Sequence, residues 1–116
     1  MPRAYIAGTG FHLPGRVITN AELRKRIDSS EEWILKHTGI AERRGAEAEQ
    51  NTSDLGVLAT RAALRRTGWK DQDLDLLICA TSTPDALIPS TACYMGKKMG
   101  IHPVALEVNA ACSGFV

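Results

Sequence analysis

The chain has 116 residues, of which 44% are hydrophobic and 23% charged, and its 14 basic and 13 acidic side chains leave a net charge of +1. This composition is typical of one modest globular domain, and it excludes disordered and fibrous proteins. A nearly neutral charge argues against binding to nucleic acid or an anionic membrane, since both need a concentrated basic surface. No apolar stretch approaches the roughly 20 residues of a membrane-spanning helix.

The N-terminus and the cysteines predict a cytoplasmic protein. The first ten residues, MPRAYIAGTG, lack the long apolar segment of a secretory signal. Three cysteines, at positions 79, 93 and 112, form no CxxC pair, which suits neither a disulfide scaffold nor a zinc site. We therefore expect reduced thiols and no metal centre.

The first predicted elements are short. Arg3–Ala7 is a β-prone apolar run that the turn Gly8-Thr9-Gly10 ends. The segment Thr19-Asn20-Ala21-Glu22 has the pattern of a capping box, in which each end residue bonds the backbone of the other. It predicts a helix with Leu23 and Ile27 on one face.

The next two helices are marked by their end residues. Residues 29–32, Ser-Ser-Glu-Glu, repeat the capping-box pattern, with Ser29 as the cap, and predict the start of a helix that carries Trp33 and ends at Gly39. Ser53 starts a third helix, which Gly68 ends. The apolar stripe that predicts the buried face of this helix comprises Leu55, Leu58, Ala59, Ala62 and Ala63.

The last part of the chain alternates strand, helix and strand. Leu76–Ala80 is a continuous apolar run, as expected of a strand covered on both faces. A helix is predicted from about Ser90 to Met99, with Gly100 ending it, and a second strand at Val104–Val108. The alternation predicts an α/β layered fold. Because so few strands make a very small sheet, we expect the chain to be part of a larger domain.

A cysteine follows the last predicted strand, in the segment Asn109–Gly114. In open α/β sheets, reactive groups gather where strands end and helices begin. At such a turn, the helix N-terminus stabilises a thiolate, and backbone N–H groups can hold an oxyanion. Cys112 is therefore either a nucleophile for acyl transfer or a small buried side chain. Cys79 in a strand and Cys93 in a helix favour a purely structural role.

Five segments together carry a family resemblance: GTGFHLPGRVITNAEL, DSSEEWILKHTGIAERR, TSDLG, ATSTPDALIPSTAC and VNAACSGF. They resemble the N-terminal portion of β-ketoacyl-acyl carrier protein synthase III, a condensing enzyme of the thiolase superfamily. The resemblance implies a thiolase-like fold of αβαβα layers, with residues 1–116 as most of the first half of the domain. It also implies a second half outside this chain and a homodimer.

The resemblance implies a catalytic role for Cys112, which would accept the acyl group of acyl-CoA while its own N–H contributes to the oxyanion hole. A histidine and an asparagine of the second half would activate malonyl-acyl carrier protein for decarboxylation and attack. The product would be a 3-ketoacyl chain for fatty acid or polyketide synthesis. His12, His37 and His102 are poor substitutes for that histidine. Coenzyme A is implied as part of the substrate, and no cofactor is implied.

The resemblance also implies substrate-binding residues. Trp33 matches a tryptophan that stacks on the adenine of CoA, and Ser29 and Thr38 match polar positions beside the nucleotide. His37 stands where the family typically has arginine, and a neutral histidine binds phosphate less well. CoA binding would then be weaker, or a carrier protein would be the acyl donor. Ile88 stands where several members have phenylalanine, in a loop that shapes the partner's acyl pocket, which suggests an acyl group longer or more branched than acetyl.

Two other functions stay open at this point. One is a synthase III-like acyltransferase of secondary metabolism, which would pass the acyl group from Cys112 to an alcohol or amine. The other is a non-catalytic binding module. The turn Gly8-Thr9-Gly10 is not a dinucleotide site, because Leu13 stands where the third glycine is needed.

Overall fold

The computed structural model describes residues 3–115. Its strands and helices are, in chain order, β1 (Arg16–Thr19), α1 (Asn20–Leu23), α2 (Glu31–Thr38), β2 (Glu42–Gly45), α3 (Thr52–Thr67), β3 (Leu76–Ala80), α4 (Thr91–Met99) and β4 (Val104–Val108). Short 3-10 helices lie at Asp71–Asp73 and Ala111–Phe115. The chain forms two compact units, one of Leu13–Glu49 and a larger one of the described residues before and after it. Within residues 3–115, no helix is both long and apolar enough to cross a bilayer.

The larger unit is built on the parallel pair β3 and β4, with Leu77 opposite Ala105. One face of this pair packs against α3 and α4, and the core is formed by Val57, Leu64, Leu77, Ala92, Met95, Met99 and Ile101. On the other face, Leu76 is 46% exposed and Ile78 57% exposed. The prediction that β3 is covered on both faces is therefore wrong for the described residues, because both helices pack on the same side.

Helix α3 buries a different stripe from the predicted one. Its buried residues are Ser53, Val57 and Leu64, whereas Leu58 is 42% exposed. The predicted apolar stripe does not mark the buried face, because the polar residue Ser53 takes one of the inward positions. The helix begins one residue earlier than predicted, and the Asp54 carboxylate accepts the N–H of Asn51 at 3.0 Å.

The predicted first strand at Arg3–Ala7 is wrong. No strand among the described residues pairs with this segment, and a strand needs a neighbour for its backbone hydrogen bonds. The chain is instead held close to α3 just beyond it. A Cβ on Gly10 would lie 2.2 Å from the backbone nitrogen of Ala63, so only glycine fits this approach.

The smaller unit contains the antiparallel pair β1 and β2, which the sequence did not predict. Arg16 lies opposite Gly45, and Thr19 opposite Glu42. Each strand has only four residues, β1 being Arg-Val-Ile-Thr and β2 Glu-Arg-Arg-Gly, so neither shows the apolar alternation that identifies a strand. Buried Asn20 joins the pair to the rest of the unit, donating to the carbonyl of Ile40 at 2.9 Å and accepting from Arg43 at 2.7 Å.

Helix caps were predicted well in the smaller unit. The Thr19 hydroxyl accepts the N–H of Glu22 at 3.2 Å, as predicted. The other half of that capping box is wrong, because the Glu22 carboxylate pairs with Arg16 at 2.7 Å. Helix α1 is a single turn and ends before Ile27, so the predicted face of Leu23 with Ile27 does not form. For α2 the predicted box of Ser29 with Glu32 is one residue off, because the cap is Ser30, whose hydroxyl accepts the N–H of Trp33 at 3.1 Å. Gly39 ends this helix as predicted, at φ 69°.

Candidate functional site

Cys112 lies in the tight turn that follows β4, as the sequence predicted. Strand β4 ends at Val108, and a 3-10 helix spans Ala111–Phe115. The N–H of Ser113 donates to the carbonyl of Ala110 at 2.9 Å and closes the turn. Within the described residues the Cys112 thiol is free and exposed, and its catalytic role stays a prediction.

The residue before this cysteine is in the left-handed region. Ala111 has φ 45°, a conformation that a residue with a Cβ adopts at a cost of about 1 kcal/mol or more. Strain of this kind persists only where the surrounding structure imposes it, and it gathers at functional sites. Gly114 contributes a close contact, since a Cβ there would lie 3.3 Å from the Cβ of Ala80 at the end of β3.

The loop between β3 and α4, residues 81–90, is bonded to the strand that leads to Cys112. The N–H of Thr81 donates to the carbonyl of Val108 at 3.0 Å. The hydroxyl of Ser82 donates to the side-chain oxygen of Asn109 at 3.0 Å. These two contacts fix the start of the loop beside the end of β4.

A second set of contacts ties the loop to the start of α3. The N–H of Ser53 donates to one carboxylate oxygen of Asp85 at 2.9 Å, and the Ser53 hydroxyl donates to the other. The Lys98 ammonium donates to the Ser53 hydroxyl oxygen at 2.6 Å and to Asp54 at 2.6 Å. The hydrogen bond from Lys98 is the main reason that the pKa of Asp54 is lowered from its ordinary value.

Thr91 links Asp85 to β4 through two hydrogen bonds. Its hydroxyl accepts the N–H of Asp85 at 3.1 Å, and its own N–H donates to Glu107 at 2.7 Å. Thr91 and Ser53 are both fully buried. This network was not predicted from the sequence. Its signals were a serine on the inward face of α3 and a glutamate within the apolar strand β4.

The tip of the same loop is apolar and open. Leu87 is 90% exposed and Ile88 is 84% exposed. Ile88 therefore lies outside the core of this unit, on a segment whose two ends are held by hydrogen bonds. Its predicted role in an acyl pocket stays a prediction.

The other two cysteines differ from Cys112. Cys79 is half-buried in β3, and burial, with smaller contributions from the negative charges of Glu107 and Asp85, raises the pKa of its thiol. Cys93 lies in α4 as predicted, but it is exposed, and its sulfur accepts the hydroxyl of Ser90 at 3.2 Å. Its position in an amphipathic helix therefore did not decide its burial.

The four residues predicted to bind CoA lie in the smaller unit, and the structure brings two of them to one cleft. Trp33, 54% exposed, and Ser29 line a cleft of about 430 Å³ together with Ile27, Asp28 and Ser30. The imidazole of His37 stacks on the Trp33 indole with ring centroids 4.2 Å apart and 22° between the planes. Its Nδ1 lies 2.8 Å from the carbonyl oxygen of Trp33.

Thr38 is used within its own helix end. Its hydroxyl donates to the carbonyl of Ile34 at 2.6 Å and accepts the N–H of Ile40 at 3.1 Å. Both contacts stabilise the end of α2. A contact of Thr38 with a nucleotide stays a prediction.

Several known proteins are similar to this chain in sequence and structure. No protein-family model matches it. It is 47% identical over 109 residues to the β-ketoacyl-[acyl-carrier-protein] synthase III of Sulfurovum sp., covering 92% of this chain and 32% of that protein. This chain is similar to the N-terminal portion of β-ketoacyl-acyl carrier protein synthase III. The resemblance to synthase III that its motifs indicated is thereby confirmed.

Solved structures agree on the fold. The 3-oxoacyl-[acyl-carrier-protein] synthase III of Aquifex aeolicus matches with a TM-score of 0.87 at 43% identity, over 95% of this chain and 36% of that chain. The priming β-ketosynthase of the R1128 polyketide biosynthetic pathway matches with a TM-score of 0.86 at 34% identity, over 95% of this chain and 33% of that chain. The α/β, thiolase-like fold is therefore confirmed. The chain spans about a third of the synthase III relatives that it matches.

Proposed function

We propose that the polypeptide carrying this chain is a β-ketoacyl-acyl carrier protein synthase III-type acyltransferase and condensing enzyme. One observation carries the proposal: the motif cysteine of a synthase III-like sequence is an exposed thiol, placed by a strained turn at the end of a parallel strand. That position offers a nucleophile beside backbone N–H groups, the arrangement that acyl transfer needs.

The proposed reaction has two steps. The Cys112 thiolate attacks the carbonyl carbon of acyl-CoA, and collapse of the tetrahedral intermediate expels the CoA thiolate, leaving an acyl-cysteine. Malonyl-acyl carrier protein then loses carbon dioxide, and the resulting carbanion attacks the acyl-cysteine. This forms the new carbon–carbon bond of a 3-ketoacyl product and releases the Cys112 thiolate. A histidine and an asparagine beyond this chain would assist the second step. CoA enters only as substrate.

In the proposal, the cleft beside Trp33 binds the adenine end of the donor. Its volume of about 430 Å³ lies within the range of small-molecule sites, and Trp33 offers an exposed aromatic face for stacking. The stacked imidazole of His37 supports the indole from within the same helix. Ser29 supplies a polar group at the cleft. In this proposal His37 supports the indole of Trp33 and does not have to bind phosphate.

This part of the proposal predicts a specific kinetic change. Trp33→Ala removes the stacking face but no reacting group, so KM for acyl-CoA should rise about tenfold with kcat little changed. Steady-state kinetics on the full-length polypeptide measure both constants. Trp69→Ala, which removes the other tryptophan of the chain, is the control and should leave KM unchanged. An equal fall in kcat for both variants would contradict the assignment.

The proposal also includes a cytoplasmic homodimer. Three cysteines without a CxxC pair or a disulfide-scaffold spacing favour a reducing compartment. The exposed tip at Leu87 and Ile88 would enter the acyl pocket of a second subunit, where the size of Ile88 favours an acyl group larger than acetyl. Sedimentation of the full-length polypeptide, compared with a variant carrying Leu87→Asp and Ile88→Asp, tests this.

The reaction itself is tested by supplying the full-length polypeptide with acyl-CoA donors and malonyl-acyl carrier protein. Mass spectrometry of the carrier protein should detect the 3-ketoacyl product, with release of one carbon dioxide per turnover. Cys112→Ala should abolish the 3-ketoacyl product, because no acyl-cysteine is left for the carbanion to attack, and Cys93→Ala should retain it. Acyl transfer to an alcohol or amine without carbon dioxide release would identify the secondary-metabolism acyltransferase instead. No transfer at all would leave only a binding module.

A further inference from the structure

We infer that Ser53 is a positioning residue for the loop of residues 81–90, and that it sets the acyl-chain selectivity of the enzyme through Asp85. The inference rests on the proposed function, because it concerns the acyl pocket that the loop tip would shape. Ser53 does not contact that tip. It acts through the carboxylate that it holds.

Ser53 makes three hydrogen bonds to side chains, two through its hydroxyl and one through its backbone N–H. A serine hydroxyl has one hydrogen to donate and lone pairs to accept. Ser53 donates its hydrogen to Asp85 and accepts from the Lys98 ammonium at 2.6 Å, while its backbone N–H donates to the second carboxylate oxygen at 2.9 Å. Both oxygens of Asp85 are therefore bound by the same fully buried residue. Charged partners on both sides make these hydrogen bonds strong.

The same aspartate fixes the rest of the loop. Its N–H donates to the Thr91 hydroxyl at 3.1 Å, and the Thr91 N–H donates to Glu107 in β4 at 2.7 Å. Asp85 thus connects the starts of α3 and α4 to the strand that leads to Cys112. The residues that make these hydrogen bonds come from distant parts of the sequence. Neighbouring residues of the loop therefore do not substitute for a hydrogen bond that is lost.

The loop tip has no comparable support of its own. Leu87 and Ile88, two and three residues after Asp85, are 90% and 84% exposed. A largely exposed apolar tip takes its direction mainly from the segment that carries it. Because one residue at the base is held by three hydrogen bonds, the base determines where Ile88 points.

The test uses the ratio of kcat/KM between the best and the worst acyl-CoA chain length, measured on the full-length polypeptide. Ser53→Ala removes the hydroxyl from both Asp85 and Lys98. The tip should then vary in position, and the ratio should fall about tenfold, the size expected when a hydrogen bond to a charged group is lost. A loss of folded protein alone scales all donors equally and leaves the ratio unchanged.

Thr67→Ala is the matched control at the other end of α3. The Thr67 hydroxyl donates to the carbonyl of Leu64 at 2.9 Å and accepts the N–H of Trp69 at 3.2 Å, so its loss also costs two hydrogen bonds. This variant should lose stability but keep the wild-type ratio. A ratio that falls in both variants would overturn the inference.

A second variant covers the case in which Ser53→Ala does not fold. Lys98→Gln removes the ammonium that donates to the Ser53 hydroxyl, and Lys98 is an exposed residue of α4. This variant should lower the ratio about two- to threefold, because the hydroxyl itself stays in place. An unchanged ratio in the folded variants, with normal acylation of Cys112, overturns the inference and leaves the proposed function intact. Absence of acylation in the wild type overturns both.

Discussion

Strand β3 and the turn after β4 each place a cysteine at the edge of the same parallel pair, yet the two thiols have opposite surroundings. Cys79 packs against the core beside Glu107, and its pKa is raised. Cys112 is exposed in a turn with a left-handed residue before it. The thiolate is the reactive form of a cysteine. Cys112 is exposed, whereas Cys79 is half-buried and its raised pKa leaves less of it as thiolate.

The two regions also differ in the interactions that stabilise them. The β3 region is stabilised by apolar packing between α3 and α4. The turn after β4 is held mainly by hydrogen bonds, through Thr81 and Ser82 at its start and through Thr91 and Glu107 along the strand. Apolar packing tolerates small shifts, whereas directional bonds fix the angle of a turn, which is what a nucleophile requires.

Removing each thiol in turn should have the largest effect on activity. Cys112→Ala should lower kcat/KM for acyl transfer by at least about a thousandfold, because no other group can form the acyl-enzyme. Cys79→Ala should keep activity within about threefold and lose only some packing. Steady-state assays of both variants with one acyl-CoA decide between them, and a large loss from Cys79→Ala would refute the contrast.

Alkylation compares the two thiols directly in one sample. At pH 7.5, iodoacetamide should modify Cys79 at least about tenfold more slowly than Cys112, since the Cys79 thiol is half-buried and its pKa is raised. Raising the pH should increase the Cys79 rate over a range where an ordinary exposed thiol is already saturating. Peptide mass mapping at timed intervals gives both rates, with exposed Cys93 as an internal standard. Equal rates at Cys79 and Cys93 would argue against protection by the strand.

The smallest expected effect concerns the strained residue before the nucleophile. Ala111→Gly relieves a left-handed conformation, so it should raise the free energy of unfolding by about 0.5 kcal/mol after the entropy cost of glycine is subtracted. Ala110→Gly, one residue earlier and without a positive φ, should lower that free energy by about 0.5 to 1 kcal/mol. Urea unfolding of the full-length polypeptide measures both. The same sign for the two variants would show that Ala111 is not strained.

Local signals predicted the parts of the fold that depend on neighbouring residues. Ser30 and Ser90 cap their helices, and Gly68 and Gly100 end theirs at φ 76° and 72°. The turn at Cys112 belongs to this class, because a strand followed by small residues is a local pattern. Local chemistry was sufficient for each of these elements.

Contacts between distant residues were not predictable in the same way. The pairing of β1 with β2 depends on charged strands that meet only in space. Ser53 and Asp85 are 32 residues apart, and Thr91 and Glu107 are 16 apart. A buried serine, or a glutamate within an apolar strand, does not fit the apolar pattern until its hydrogen-bond partner is known. The positioning network therefore appears only with the structure.

Acyl transfer to Cys112 is tested most directly by the intact mass of the full-length polypeptide after incubation with a panel of acyl-CoAs and no malonyl donor. We expect a gain equal to one acyl group, mapped to Cys112 and absent in Cys112→Ala. A wild-type mass that stays unchanged with every acyl-CoA, or a gain that persists in Cys112→Ala, would contradict it.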